Sequence, residues 1–364
     1  MSRTLSTLLV GVLILLGSGC GGGSLAVYRE DPQRTGYTVQ RSVPEQLTSL
    51  DWKYAVGDKT YSSPIVADGQ VYIGAADGQL HVLDLDRGTL RWSYKTDGNI
   101  EAAVAVKGDT VFIGSWDGYL YAVDVDDRSL RWKFKTGGKV YSAPVVVDGV
   151  VYFGSEDHYL YAVNARDGAL VWKFDAGAAV YTSPTIAGNL VLIGSLKGFV
   201  YAVNRDSGQE QWSFATQQRN YSTLAVSGDM VYFGSDDQYL HAVNIRTGQQ
   251  AWQQRTSGKI FSSPGVDERN VYVGSTDDYI YAFDRMSGER RWEFRTGGAV
   301  FSSPLRVADM LFIGSTDSYL YALNPKTGEV RWKYKVNEKI YSSPTTSSGR
   351  VIFNSVNGDV FAVR

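Results

Sequence analysis

The 364 residues include one cysteine, three histidines, four methionines and nine prolines. A single thiol, Cys20, excludes an internal disulfide and any cysteine-built metal site. His81, His158 and His241 stand at no spacing that makes a ligand set, and neither a nucleophile motif nor a phosphate-binding glycine pattern is present. Charge of neither sign is in excess: 36 Lys and Arg face 38 Asp and Glu, for a net charge of −2. That excludes a nucleic-acid binder working through bulk charge. Against these scarcities stand 39 Gly, 24 Tyr, 14 Phe and 9 Trp, a turn-rich and aromatic-rich balance that favours strands and excludes disorder.

The N-terminus reads as an address. Arg3, the apolar stretch Leu5 to Leu16, and then Gly17-Ser18-Gly19-Cys20 follow the order of a bacterial secretory signal, and the apolar stretch is too short to span a bilayer. A lone Cys after small residues resembles a lipobox, with Gly17 in the place where lipoboxes usually carry Leu. The resemblance implies a signal peptide over residues 1–19 and acylation of Cys20, which becomes the first residue after cleavage. In a cell with two membranes, Gly21 behind the Cys, rather than Asp, points to the outer membrane. Residues 20–44, opening Gly21-Gly22-Gly23-Ser24, read as the lipidated Cys and a flexible tether.

Self-similarity governs the rest. Trp52, Trp92, Trp132, Trp172, Trp212, Trp252, Trp292 and Trp332 recur every 40 residues without insertion or deletion, and Trp116 alone is off register. Around each Trp the same text returns, as in Tyr141-Ser142-Ala143-Pro144, Val151-Tyr152-Phe153-Gly154-Ser155 and Tyr159-Leu160-Tyr161-Ala162-Val163-Asn164. Turn pairs at Asp148-Gly149, Asp157-His158 and Asp167-Gly168 divide the unit into four strand-length pieces. Four short antiparallel strands per unit of this length make a propeller blade. Residues 45–364 hold eight units, so the fold class is all-β, a single eight-bladed propeller. The last unit ends without a Trp strand, and Leu50 to Tyr54 stands unpartnered at the other end. The Trp52 strand is therefore predicted to complete the last blade and close the ring.

The recurring small residues and Trp, as in Ala322, Asn324, Thr327, Gly328 and Trp332, resemble the tryptophan-docking motif of the PQQ-type propeller repeat over residues 45–364. In that family each Trp packs between the Ala and the Gly of a neighbouring blade's motif. The eight Trp are thus structural, and replacing one by Ala is expected to cost on the order of 3–5 kcal/mol. Val82 in an Ala place and Arg128 in a Gly place depart from the motif in and around the second blade.

Function is sought where a repeat position forms a ring of one type or breaks it. Lys59, Asn99, Lys139, Ala179, Arg219, Lys259, Ala299 and Lys339 form a largely basic ring at the start of the innermost strands. Two residues on come Tyr61, Tyr141, Tyr181, Tyr221, Phe261, Phe301 and Tyr341, broken by Glu101. The two rings read either as a channel mouth for an anionic, planar or peptide-like partner, or as structure. In the second case the Lys side chains pair with the turn residues Asp77, Asp117, Asp157, Asp237, Asp277 and Asp317, and the aromatics fill the wedges between blades. Broken positions sharpen the first reading: Trp116 as an exposed anchor in the blade of Glu101 and Arg128, and Lys197, Arg219, Asn220 and Leu224 in a second cluster. The candidate partner-binding residues are Lys59, Glu101, Trp116, Lys139, Lys197, Arg219, Asn220, Tyr221, Lys259 and Lys339. Asp84-Leu85-Asp86 and Asp124-Val125-Asp126-Asp127 read as turn formers rather than calcium loops, and no catalytic residue, metal or cofactor is assigned.

A lipid-anchored ring of PQQ-type repeats resembles the BamB-type lipoproteins of the outer-membrane β-barrel assembly machinery. The resemblance implies a cofactor-free protein–protein interaction scaffold facing the periplasm or cell surface, whose partners are envelope proteins and that machinery, with membrane contact through the anchor alone. Two alternatives stand beside it. One is a PQQ-dependent dehydrogenase, whose alcohol-oxidising class carries an adjacent cysteine pair and calcium ligands. The other is a ligand- or peptide-binding envelope propeller.

Overall fold

The computed structural model describes residues 25–29, 31–38, 43–47 and 49–364; the signal-like stretch and Cys20 lie outside the described residues. Each repeat folds into one antiparallel sheet. In blade 3 the strands Val145–Val147, Val150–Gly154, Tyr159–Asn164 and Leu170–Asp175 pair in sequence order. The hairpin turns suit their residues: Asp148 and Gly149 sit at φ of 49° and 74°, the left-handed geometry whose twist matches that of the flanking strands. The second and third strands are buried on both faces because blades flank them, which explains apolar runs such as Val151-Tyr152-Phe153 without polar alternation.

The outer strand places the tryptophan. Ladder register slips by one residue at Arg131, so that Trp132 faces Ala122 within its own blade, and the indole lies on Gly168 of the next. A Cβ added to Gly168 would meet Trp132 Cε3 at 2.7 Å, and the φ of 72° there also favours glycine. The Ala partner is thus in the same sheet and the Gly partner in the neighbouring one. Seven of the eight ring tryptophans are buried; Trp172 is half-buried.

The ring closes as predicted. Leu50–Ala55 is the outermost strand of blade 8, paired with Asp359–Val363, and Trp52 faces Ala362. Asp51 locks the seam by accepting from Arg350 Nε at 2.5 Å and Arg364 Nε at 3.0 Å.

Residues 25–29 and 31–38 depart from the tether expected of them: they plug the central channel. Leu25 and Ala26 pair with Lys107 and Val106, at the end of the blade 2 inner strand farthest from Glu101. The chain climbs toward the mouth at Tyr28 and returns along blade 7, with Tyr37 opposite Arg306 and Thr38 opposite Val307. Carbonyls of Pro32, Gln33, Thr35 and Gly36 accept from Ile186, Val226, Val266 and Arg306 N–H, one from each of blades 4 to 7, at 2.8–3.0 Å. Inner-strand edges that would otherwise line an open channel are thereby capped.

Two arginines fasten the plug. Arg34 is fully buried and donates to the carbonyls of Pro184, Ala143, Pro144 and Tyr28. Arg29 donates to Ser263 and Pro264 across the channel. Burial pulls the Arg34 guanidinium down to about 10 despite Tyr28 and Asp31 nearby, so it stays charged at neutral pH and depends on those carbonyls.

Candidate binding site at the channel mouth

Above the plug, the starts of the inner strands enclose a pit of about 190 Å³. Its wall is the aromatic ring. Successive centroids lie 4.5 Å apart for Tyr141 and Tyr181, 6.1 Å for Tyr181 and Tyr221, 5.2 Å for Tyr221 and Phe261, and 5.4 Å for Phe261 and Phe301. Phe301 to Tyr341 at 5.2 Å and Tyr341 to Tyr61 at 6.0 Å carry the chain round to blade 1. The aromatics therefore line the pit and touch one another in tilted pairs rather than only filling wedges between blades. Glu101 takes the eighth place.

Below the aromatics lies a belt of hydroxyls that stitches blade to blade. The N–H groups of Ala143, Ser183, Thr223, Ser263, Ser303 and Ser343 donate to the hydroxyls of Ser183, Thr223, Ser263, Ser303, Ser343 and Ser63, each on the following blade, at 2.9–3.1 Å. The belt is interrupted at Ala103 and Ala143, which offer no hydroxyl. Tyr28 supplies the floor, its hydroxyl bonded to Ser303 and Ser343 at 3.1 and 3.2 Å. Burial opposes ionisation there, but Arg29 and the serine hydroxyls together bring the Tyr28 phenol below its usual value.

The basic ring stands outside this pit. Lys59, Arg219, Lys259 and Lys339 are exposed on the rim and Lys139 is half-buried. The alternative in which the ring cations pair with the turn aspartates is not seen among the described residues. Asp117, Asp157, Asp277 and Asp317 accept instead from Tyr121, Tyr161, Tyr281 and Tyr321 hydroxyls at 2.6–2.9 Å, and Asp237 pairs with His241 at 3.0 Å. Lys259 bonds Asp236 at 3.0 Å. Lys139 rests its ammonium 4.2 Å from the centre of the Trp116 ring.

Trp116 is half-buried rather than an exposed anchor: it packs on Tyr141 at 4.8 Å, and its buried indole N–H has no hydrogen-bond partner among the described residues. Asn220 is fully buried and bonds Thr216 Oγ1 at 3.1 Å, so it packs the start of its strand. Tyr221 lines the pit. Lys197 is exposed on the rim, 5.9 Å from the Phe199 ring, apart from Glu101. Asp84 and Asp124 make the expected turns, each accepting two main-chain N–H groups through one oxygen.

Three contributors carry weaker sequence signals. Tyr28 lies outside the repeat, so periodicity is silent about it. Ala102 and Ala103, which with Glu101 and Val104 replace the usual Tyr-Ser-Ser-Pro, are legible once the repeats are aligned. Glu156, in the same repeat place as Trp116, accepts the Tyr181 hydroxyl at 3.0 Å.

Comparison with known proteins bears on the fold. No curated protein matches the chain in sequence. Solved structures similar to it include BamB from Moraxella catarrhalis, with TM-score 0.74, 19% identity and coverage of 87% of this chain and 97% of that one. A europium-containing methanol dehydrogenase gives TM-score 0.79 at 14% identity over 92% and 97%. A quinohemoprotein alcohol dehydrogenase from Pseudomonas putida HK5 gives 0.81 at 16% over 93% and 79%. At such identities these likenesses concern architecture. Residues 296–364 match the family model described as outer membrane protein assembly factor BamB, and residues 62–268, more than half the chain, match that described as the β-propeller of the beta-alanine-activating enzyme. The chain belongs to that β-propeller family, and its eight blades are PQQ-like repeats.

Proposed function

We propose that this chain is a non-enzymatic, lipid-anchored propeller serving as a protein–protein interaction scaffold in the bacterial envelope, in the manner of BamB. The observation that carries the reading is the plug. Residues 25–29 and 31–38 occupy the channel and bond five blades through main-chain groups, which leaves a pit of about 190 Å³. Pockets for small molecules ordinarily span about 300–1,000 Å³. The residues also do not fit a quinone cofactor with calcium. Among the described residues no three His, Cys, Asp or Glu cluster for a metal ion, Asn220 is packed away, and Arg219 points from the rim. What remains for a protein partner is surface: loops, blade edges and rim.

The plug also orients the ring. Leu25 sits on the face opposite the pit, and five residues of extended chain reach at most about 18 Å. An acyl anchor on Cys20 therefore holds that face to the membrane and turns the aromatic mouth away from it.

The test is capture of the tagged, lipidated chain from native envelope membranes. Recovery of the β-barrel assembly machinery supports the scaffold, and its absence at good yield overturns it. Architectural likeness to the methanol dehydrogenase favours the quinoprotein reading, which predicts a stoichiometric chromophore and alcohol-dependent dye reduction after incubation with PQQ and calcium.

A further inference from the structure

Blade 2 breaks the pit in four consecutive places, Glu101 to Val104, where the other repeats write an aromatic, two small residues, mostly hydroxylated, and, except at Leu224, proline. The consequence is local. An aromatic ring is replaced by a carboxylate, and Ala103 beneath it lacks the hydroxyl that most other blades present to the pit.

Among the described residues Glu101 is the only charged side chain lining the pit. Its carboxylate accepts from the Asn99 amide at 3.3 Å, and among the described residues no cation stands at ion-pair distance. Of the rim cations, Lys259 lies on Asp236 and Lys139 on Trp116. Tyr61 and Tyr141, the aromatic residues of the two flanking blades, bound the same pit, and the Tyr28 hydroxyl lies below.

We propose that the blade 2 sector of the pit binds an organic cation, an alkylammonium or guanidinium group, received by the Glu101 carboxylate between the rings of Tyr61 and Tyr141. A cation entering an aromatic enclosure gains from the ring quadrupoles, most where water is excluded, and a single carboxylate neutralises it there. The sector already draws a cation onto an aromatic surface, since Lys139 lies on Trp116, which itself packs on Tyr141. Its electrostatics agree: burial, then Glu101, Tyr181 and Glu156, push the Tyr141 hydroxyl well above its usual value. Burial likewise raises Glu101 against the opposing pull of Asn99 and Lys139, as for a carboxylate short of positive charge.

The neighbouring Lys139 gives the test a sign. The full chain is titrated calorimetrically with n-butylammonium and n-butylguanidinium, with n-butyrate as the anionic probe. The cations are expected to bind and butyrate not to. Glu101→Gln is expected to weaken cation binding at least tenfold, and Lys139→Met, which removes a competing charge, to tighten it severalfold. Glu101→Tyr, which restores the residue of the other blades, serves as a second variant should the glutamine form fold poorly, and is expected to abolish binding. Preferential binding of butyrate, indifference of the cations to both Glu101 variants, weakening by Lys139→Met, or no binding of either cation would each overturn the proposal. None of these outcomes bears on capture of an assembly partner, so the two readings stand or fall apart.

Discussion

Trp92 donates its indole N–H to the side-chain oxygen of Gln70 at 3.2 Å, whereas the other seven ring tryptophans donate to main-chain carbonyls, those of Leu85, Ala165, Arg205, Ile245, Arg285, Pro325 and Pro44. The cause lies in the docking turn that Trp92 should meet. Arg128 holds the glycine place there at a φ of 59°, a left-handed conformation that costs a side-chain-bearing residue about 1–3 kcal/mol.

Arg128→Gly is therefore expected to stabilise the chain by about 1 kcal/mol and raise its melting midpoint by ~2 °C. Scanning calorimetry checks this. An unchanged or lowered midpoint would show that the arginine side chain contributes more than its backbone costs.

The seam between Asp51 and its two arginines is acid-sensitive. The Asp51 carboxyl loses some solvation, but its bonds to Arg364 and Arg350 outweigh that and hold its pKa below the usual aspartate value. A lowered folded-state pKa gives stability that is complete above the unfolded value and is lost as pH falls through the folded one. Asp51→Asn should then cost about 2 kcal/mol at pH 7, with the gap from wild type closing on acidification below about pH 4. Parallel urea titrations at several pH values test this, and a gap independent of pH would count against the linkage.

Arg34 anchors the plug from inside. Arg34→Met leaves the channel carbonyls of Pro184, Ala143 and Pro144 without their donors, at a cost of about 3 kcal/mol. The amides of Ile186, Val226, Val266 and Arg306 should lose protection in hydrogen exchange, while amides of the Trp strands keep theirs. Equal protection in both proteins would mean that the segment holds its place without the arginine.

How legible each feature is depends on its physical origin. Ring, blade count and closing strand are visible because alternation, Asp-Gly turns and Trp spacing repeat locally, and the phase of the Trp52 strand leaves it one possible partner. The disturbance around Trp92 is visible for the same reason, since Val82 stands where seven other repeats have Ala and Arg128 where six have Gly. The plug is invisible because its bonds run from main-chain carbonyls to donors on four separate blades, which no local pattern encodes. The same limit applies to Trp116, whose sequence place beside a turn does not reveal that Tyr141 and Lys139 cover it. Asn220 misleads differently: the basic rim ring and the buried packing ring occupy adjacent residues, so one step along the chain moves a side chain from solvent to the interior.

The plug also gives the blades individual addresses. In a ring of near-identical units, rotation by one blade would otherwise be almost degenerate, and duplication or loss of a repeat would leave every blade-to-blade contact intact. Carbonyls 32, 33, 35 and 36 meet amides 186, 226, 266 and 306 only in one rotational setting. A gene carrying seven or nine copies would encode a channel of the wrong girth for its own N-terminus, so the segment acts as a gauge that selects for eight.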